Sequence, residues 1–192
     1  MTEQRRKKIL NVLEHRQPGL TVVMEDIHDP HNVSAVLRSA DAVGVLEIQL
    51  VYVHEKFPRL GKKSSASASK WMRRRKFTSI KECYDKLHEE GFTICATHLG
   101  VTSSSLYELD LTKKIALVFG NEHRGVSEEA AQLADVNFQI PMRGMIQSLN
   151  VSVATAVTLY EALRQRSQGP RRAHSKLSKD EMHALFEEWT AK

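Results

Sequence analysis

Three short stretches of this 192-residue chain place polar side chains where a reaction would need them. The first, "EDIHDPHNVSAVLRSADAVG", follows an apolar run, turns at Asp29-Pro30 and sets Asn32 at the start of a helix that carries Arg38 six residues later. Six residues advance a helix by about 600°, roughly 120° off the starting face, so Asn32 and Arg38 address different neighbours. The second, "LVFGNEHRGVSEE", brackets Glu122 and Arg124 between Gly120 and Gly125, residues that let backbone come close to a ligand. The third, "IPMRGMIQSLNVSVATAV", crowds Ser148, Asn150 and Ser152 in front of a helix of small apolar residues. One Ser or Asn is enough to cap a helix, so three leave polar groups over for another task. Their backbone N–H and C=O groups would suit reading the edge of an adenine. Asn32 and Asn150 are both expected to act as caps.

The elements that must hold these residues are legible as alternating patterns. Apolar, β-branched runs at 20–25, 47–53, 92–99, 114–120 and 136–142 are separated by helical periodicities at 33–43, about 79–90, 127–134 and 148–166. Such alternation predicts an α/β fold, a mostly parallel sheet with helices on both faces and ligands at the carboxyl ends of the strands. Around a core of residues 20–166, residues 1–19 read as a basic helical extension and 167–192 as a basic, amphipathic helical one. The second begins with Ser178 and, three positions on, Glu181, a capping box. The two terminal helices can pack on each other or on a partner chain.

The net charge of +5 is unevenly spread. The runs 5–8, 56–76 and 164–179 hold 19 of the 28 lysines and arginines and none of the acidic residues, leaving −14 on the rest. Basic fields on an acidic body suit a polyanion, whose phosphates bind through counterion release. Arg5, Arg6, Lys7, Arg164, Arg166, Arg171 and Arg172 are the expected nucleic-acid contacts. The stretch "GKKSSASASKWMRRRK", a small-residue loop between basic flanks, reads as a mobile clamp. No G-x-x-x-x-G-K-[ST] or G-x-G-x-x-G occurs, which argues against P-loop and dinucleotide chemistry. His28 and His31 sit beside Asp26 and Asp29 without a second cluster, so no metal is expected. Two cysteines outside any C-x-x-C pair, with no signal peptide or long apolar span, suggest a reducing cytoplasm.

Taken in order, N-V-S-A-V-L-R, F-G-N-E-x-x-G-V and I-P-M-x-G-x-x-x-S-L-N-V-S-V-A resemble the three motifs of the SpoU/TrmH family of SPOUT RNA 2′-O-methyltransferases. The likeness spans residues 20–166, and the basic helical ends resemble the branch that methylates the D-loop guanosine of tRNA. The resemblance implies a sheet with a deep C-terminal trefoil knot, a fold that generic connection rules count as nearly absent. It also implies that S-adenosylmethionine lies bent in the knot and that the active site sits at a homodimer interface. Carried over residue by residue, it makes Arg38 the catalytic arginine, Asn32 the residue that places it, Glu122 the second motif's carboxylate, and Ser148 and Asn150 the third motif's polar pair. By the same likeness, cofactor contacts would come from Thr97, Leu99, Gly120, Ile140, Ser148 and Leu149.

The reaction such a family performs moves a methyl group to a ribose 2′-hydroxyl, which requires alignment, loss of a proton and exclusion of water. Arginine stays protonated in proteins, so Arg38 is expected to grip the neighbouring phosphate, orient the hydroxyl and stabilise the developing alkoxide. The phosphate or a water then receives the proton. The same residues admit two other readings: 2′-O-methylation of an rRNA guanosine or another tRNA position, and a non-catalytic RNA-binding protein.

Overall fold

The computed structural model of the chain describes residues 1–59, 68–168 and 177–192. Its centre is a pair of strands buried along their whole length, apolar except for Thr21 and Glu25 of β1. Strand β1 (Leu20–Glu25) is buried at all six positions and β6 (Ile115–Phe119) at all five. They lie side by side and parallel, with Val22 opposite Leu117. Strands of this kind cannot face water on one side, so helices must cover both faces. Each fully buried Val, Leu or Phe in them is worth about 1.5–3 kcal/mol.

Outward from this pair run β2 (Glu47–Val51) and β3 (Arg73–Phe77) on one side, and β4 (Thr93–Thr97), β7 (Val136–Gln139) and the two-residue β5 (Ser104–Ser105) on the other. The order is β3-β2-β1-β6-β4-β7-β5, all parallel. One face is covered by α2 (Pro30–Ala42), the short α3 (Ala68–Trp71) and α6 (Val151–Gln168). The other carries α4 (Ile80–Glu89) and α5 (Glu128–Leu133). The expected α/β sheet with helices on both faces is therefore present. Ser79 and Ser127 start α4 and α5 by accepting the backbone N–H of Glu82 and Ala130. Cys83 and Cys95 are buried in the sheet-helix layers, and burial pushes both thiols up to about 12.

Helices α1 (Glu3–Glu14) and α7 (Lys179–Thr190) pack on each other, which resolves the two options left open by the sequence. Ile9 and Leu13 of α1 meet Leu185 and Trp189 of α7 against Leu46 and Trp71, at the amino ends of β2 and β3. The α7 capping box forms as expected, Ser178 and Glu181 each accepting the other's backbone N–H.

Two expectations need correcting. Residues 61–76 read as a small-residue loop between basic flanks, yet 68–71 are helical and 73–77 form an edge strand. The strand was hidden because four of its five residues are Arg or Lys, a composition that apolar periodicity cannot detect. The clamp expectation rests mainly on residues 60–67, which lie outside the described residues. The second correction concerns Asn32. Helix α2 begins at Pro30, and Asp29 is its cap, accepting the N–H of His31 at 2.7 Å. Pro at the first position needs no N–H partner and carries helical φ, so it draws the start two residues upstream of Asn32.

Candidate active site

Because the strands are parallel, the loops after β1, β4, β6 and β7 all emerge at one end of the sheet. There the loops after β4, β6 and β7, with the approach to α6, enclose a cavity of about 830 Å³. Thr97, Leu99, Gly120, Ile140, Ser148 and Leu149 all line it, together with Glu122 and Asn150. Residues as distant in sequence as Thr97 and Asn150 thus meet on one wall.

The loop after β6 is the most constrained of these. A Cβ on Gly120 would collide with the backbone of Gly125 and Val126, because the chain doubles back on itself at once. Gly125 donates its N–H to the Asn121 carbonyl at 2.8 Å and sits at φ +71°, a conformation that favours glycine. The Asn121 side chain accepts the N–H of His123 at 2.9 Å and donates to the carbonyl of Asp26 at 2.8 Å. This ties the tight loop to the end of β1 and presents Glu122 toward α2.

Glu122 receives three N–H donors. Its Oε1 accepts from the Asn32 side-chain amide (2.9 Å) and the Asp29 backbone (3.0 Å), and its Oε2 from the His28 backbone (3.0 Å). Burial alone would push this carboxyl up, but the Asn32 amide and the backbone N–H groups outweigh it and hold the group below its usual value. An ionised carboxylate saturated by donors is a poor proton acceptor near neutral pH. Its effect is instead on its neighbour. With its NH₂ committed to Glu122, Asn32 must turn its carbonyl outward, and that oxygen accepts from the side-chain amide of Asn150 at 3.0 Å. Asn150 then has only its oxygen left, which accepts the N–H and hydroxyl of Ser152 at the start of α6. The capping role expected of Asn150 is thus present and linked to a second role. One carboxylate sets the orientation of two amides 118 residues apart in sequence.

Other candidates lie elsewhere. Arg38 is exposed on α2, does not line the cavity of its own subunit, and has no hydrogen-bond or ion-pair partner among the described residues. Arg124 does not pair with Glu122; it reaches Asp26 at 3.5 Å. Asp26 itself is a residue that the sequence did not single out. It adopts φ +50° and its carboxylate accepts the backbone N–H groups of Val53, His54 and Glu55, joining the ends of β1 and β2. A lone Asp before a turn carries no sequence signal for such a role.

Of the expected RNA contacts, Arg5, Arg6 and Lys7 are exposed on α1, Arg6 lying 5.6 Å over the Phe186 ring. Arg164 is exposed and forks onto Glu161 at 2.7 and 2.8 Å. Arg171 and Arg172 lie outside the described residues. Arg166 is a correction: it is 2% exposed and donates to the carbonyls of Leu111 (2.8 Å), Gly19 (2.9 Å) and Lys113, out of reach of any RNA. Burial lowers its guanidinium to about 10, which leaves it charged at neutral pH.

Glu122→Gln tests the amide chain. Gln offers one acceptor and one NH₂ where three donors converge, so Asn32 loses the cue that fixes its orientation. Losing a hydrogen bond to a charged group costs about 1.5–3 kcal/mol, so activity is expected to fall by roughly 10- to 100-fold. A stability signature accompanies it. The folded state holds this carboxyl below its unfolded value of about 4.3, so its stabilisation is complete at neutral pH and lost as pH falls through the folded value. Urea midpoints of wild type and Glu122→Gln should differ at pH 7 and converge below about pH 4. A constant gap across that range would remove the charge from the account.

Comparison with known proteins adds an independent observation. Residues 19–160 match the SpoU rRNA Methylase family. The chain is 45% identical over 191 residues to a protein of Thermus thermophilus named tRNA (guanosine(18)-2′-O)-methyltransferase, covering 100% of this chain and 98% of the other. The crystal structure of the A. aeolicus TrmH/SpoU tRNA modifying enzyme superposes with a TM-score of 0.91 at 38% identity, covering 98% of this chain and 96% of that one. The SpoU methyltransferase AviRb from Streptomyces viridochromogenes, solved in complex with the cofactor AdoMet, matches at a TM-score of 0.69 and 26% identity, covering 83% and 65%.

Proposed function

The chain belongs to the SpoU rRNA methylase family, and on that premise we propose that it transfers a methyl group from S-adenosylmethionine to the 2′-hydroxyl of guanosine 18 in the D-loop of tRNA. The observation that carries this reading is the cavity lined by the second and third motif loops, whose Glu122 and Asn150 are both hydrogen-bonded to Asn32 of the first motif.

The cavity fits the cofactor. Its volume lies in the range of small-molecule sites, and backbone at the ends of β4, β6 and β7 faces it beside the apolar Leu99, Ile140 and Leu149. Thr97, Leu99, Gly120, Ile140, Ser148 and Leu149 would hold the molecule, with the close-packed Gly120 keeping the β6 loop out of its space. Bound there, S-adenosylmethionine supplies a methyl group on a positively charged sulfur that leaves as a neutral thioether. Arg38 grips the phosphate next to the target ribose, orients the hydroxyl and stabilises the oxygen as its bond to the methyl carbon forms. The hydroxyl proton passes to a phosphate oxygen or water. Glu122 and Asn32 hold the loops of α2 and α6 together.

The finer features belong to the same proposal. The C-terminal part is read as a trefoil knot, a reading that rests on the likeness to the SpoU family. The working unit is read as a homodimer. Ile146, Val153 and Tyr160 are 63%, 46% and 54% exposed at intervals of seven residues, an apolar row that leads into α6 and along it, suited to a second copy. Across that contact, Arg38 of one protomer would complete the cavity of its partner. A cytoplasmic location accords with the substrate; among the described residues no helix is long and apolar enough to cross a membrane.

Incubation with labelled S-adenosylmethionine and unmodified tRNA or rRNA transcripts, followed by mapping of the methylated ribose, tests the reading. Label at guanosine 18 is expected. Label confined to rRNA or to another tRNA position would replace the substrate, and no label on any transcript would leave an RNA-binding protein.

A further inference from the structure

Among the described residues strand β3 is paired only with β2 and forms one edge of the sheet. Its sequence, RRRKF, puts alternate side chains on opposite faces. On the α4 face the cations are neutralised: Arg75 is clamped by Glu47 at 2.6 Å and Glu90 at 2.5 Å, and Arg73 reaches Glu188 of α7 at 3.3 Å. Arg74 and Lys76 project from the opposite face. Arg74 is in register with Ile48 and Lys76 with Leu50, and both of these are buried beneath α2. Arg74 and Lys76 therefore continue that face onto the edge strand. Both are exposed, and neither has an acidic partner among the described residues.

Their surroundings give the pair a direction. At the amino end of β3 stands the α1/α7 pair, fastened by Trp71 against Trp189 (ring centroids 5.2 Å apart) and by reciprocal bonds between the Lys70 and Lys192 amines and carbonyls. Arg5, Lys7 and Lys8 are exposed on α1. At the carboxyl end lies the same end of the sheet as the cavity, and α2, which carries Arg38, covers the same face. Two sequence-distant basic runs thus lie on neighbouring elements, one on the terminal helices at the amino end of β3 and one along β3 itself.

We propose that the β3 edge is a track for the RNA backbone, with Arg74 and Lys76 each contacting a phosphate of the bound tRNA outside the catalytic cavity. Side chains two apart on a strand stand about 6.6 Å from each other, a spacing that neighbouring phosphates of one strand can meet. Open backbone N–H groups of the edge add further donors to phosphate oxygens. The competing role for charge at an edge is to prevent sheets from adding to one another. Double reversal, Arg74→Glu with Lys76→Glu, separates the two, since glutamates still guard an edge and repel phosphates.

This inference rests on the tRNA reading above. Its test uses the full chain, an unmodified tRNA transcript and fluorescence binding titrations over a range of salt. The double Glu variant is expected to bind at least about 10-fold more weakly at low salt, with the slope of log K against log salt shallower by about 2, one per phosphate contact. Its kcat at saturating tRNA should equal that of wild type, because neither residue touches the cavity. Unchanged affinity and slope would overturn the track. So would an Arg74→Ala, Lys76→Ala variant that self-associates in light scattering but binds tRNA normally, which would make the edge a guard. Wild-type methyl transfer is scored separately: weakened binding by the Glu variant beside an inactive wild type would retain the track and discard the methyl-transfer reading.

Discussion

Arg38→Lys is expected to lower methyl transfer to tRNA by about 100-fold or more while the Kd for tRNA moves little. The expectation comes from what α2 does with its two faces. Val33, Val36, Leu37 and Ala40 are fully buried against the sheet, which leaves Arg38 on the outer side with no partner among the described residues to hold it. A long cation kept free on an ordered helix, a turn and a half beyond the Asn32 that Glu122 and Asn150 fix in place, is positioned to act on something that arrives. Lysine keeps the charge and loses the planar fork that can hold a phosphate oxygen and the ribose hydroxyl together. Single-turnover rates with labelled cofactor measure the effect. Near-normal turnover by Arg38→Lys would remove the fork from the mechanism.

The same arginine carries a test of the dimer. Arg38 does not line its own cavity, so the proposed assembly supplies it in trans. Dimers mixed from an Arg38→Ala chain and a Leu149→Arg chain, whose cavity is filled, should regain activity above either parent. The intact cavity of the first chain would then face the intact Arg38 of the second. If both mixed and parental dimers are inactive, each subunit must use its own arginine.

The site was readable in the sequence to the extent that its residues are punctuated by turn chemistry. Gly120 and Pro141 sit where a strand gives way to a loop, Gly125 closes the loop after β6 and the Ser148-Leu149-Asn150 run leads into α6, and strand alternation alone says such loops share one end of the sheet. What the sequence withheld was direction. Asn32 reads as a cap because caps are Asn, Asp or Ser, but Asp29 before Pro30 competes for the same task and wins. Released from capping, Asn32 becomes the link between Glu122 and Asn150, a pairing across 90 and 118 residues that no local pattern encodes. Asp26 was invisible for the same reason, its partners being backbone groups of a different loop.

The fold shows the same division. The central strands announced themselves because burial on both faces demands runs that are mainly apolar, as in Leu20–Glu25 and Ile115–Phe119. Edge strand β3 is under no such demand, and its Arg and Lys residues read as solvated loop. The opposite error occurred at the end of α6, where Arg164 and Arg166 share one basic run but face different media. Arg164 is exposed and Arg166 is buried. Composition treats the two alike; the helical turn between them does not.

Arg166→Met should therefore act on stability and leave RNA binding alone. The guanidinium joins the end of α6 to the segments just before the two central strands, donating to Gly19 ahead of β1 and to Leu111 and Lys113 ahead of β6. It also reaches the Gln17 side chain at 3.4 Å. Methionine replaces the aliphatic stem and none of the donors, so several buried carbonyls lose partners at once, each loss costing about 1–3 kcal/mol before relaxation. A net destabilisation of about 3 kcal/mol is expected, equivalent to a fall in Tm of about 10 °C for a chain of this size. Calorimetry and urea unfolding measure it. At temperatures well below the transition, the affinity for tRNA and its salt slope should match wild type, because a phosphate cannot reach a side chain roofed by backbone. The alternative outcome is specific: an unchanged Tm with a salt slope shallower by about 1 would make Arg166 a phosphate ligand and require α6 to expose it when RNA binds.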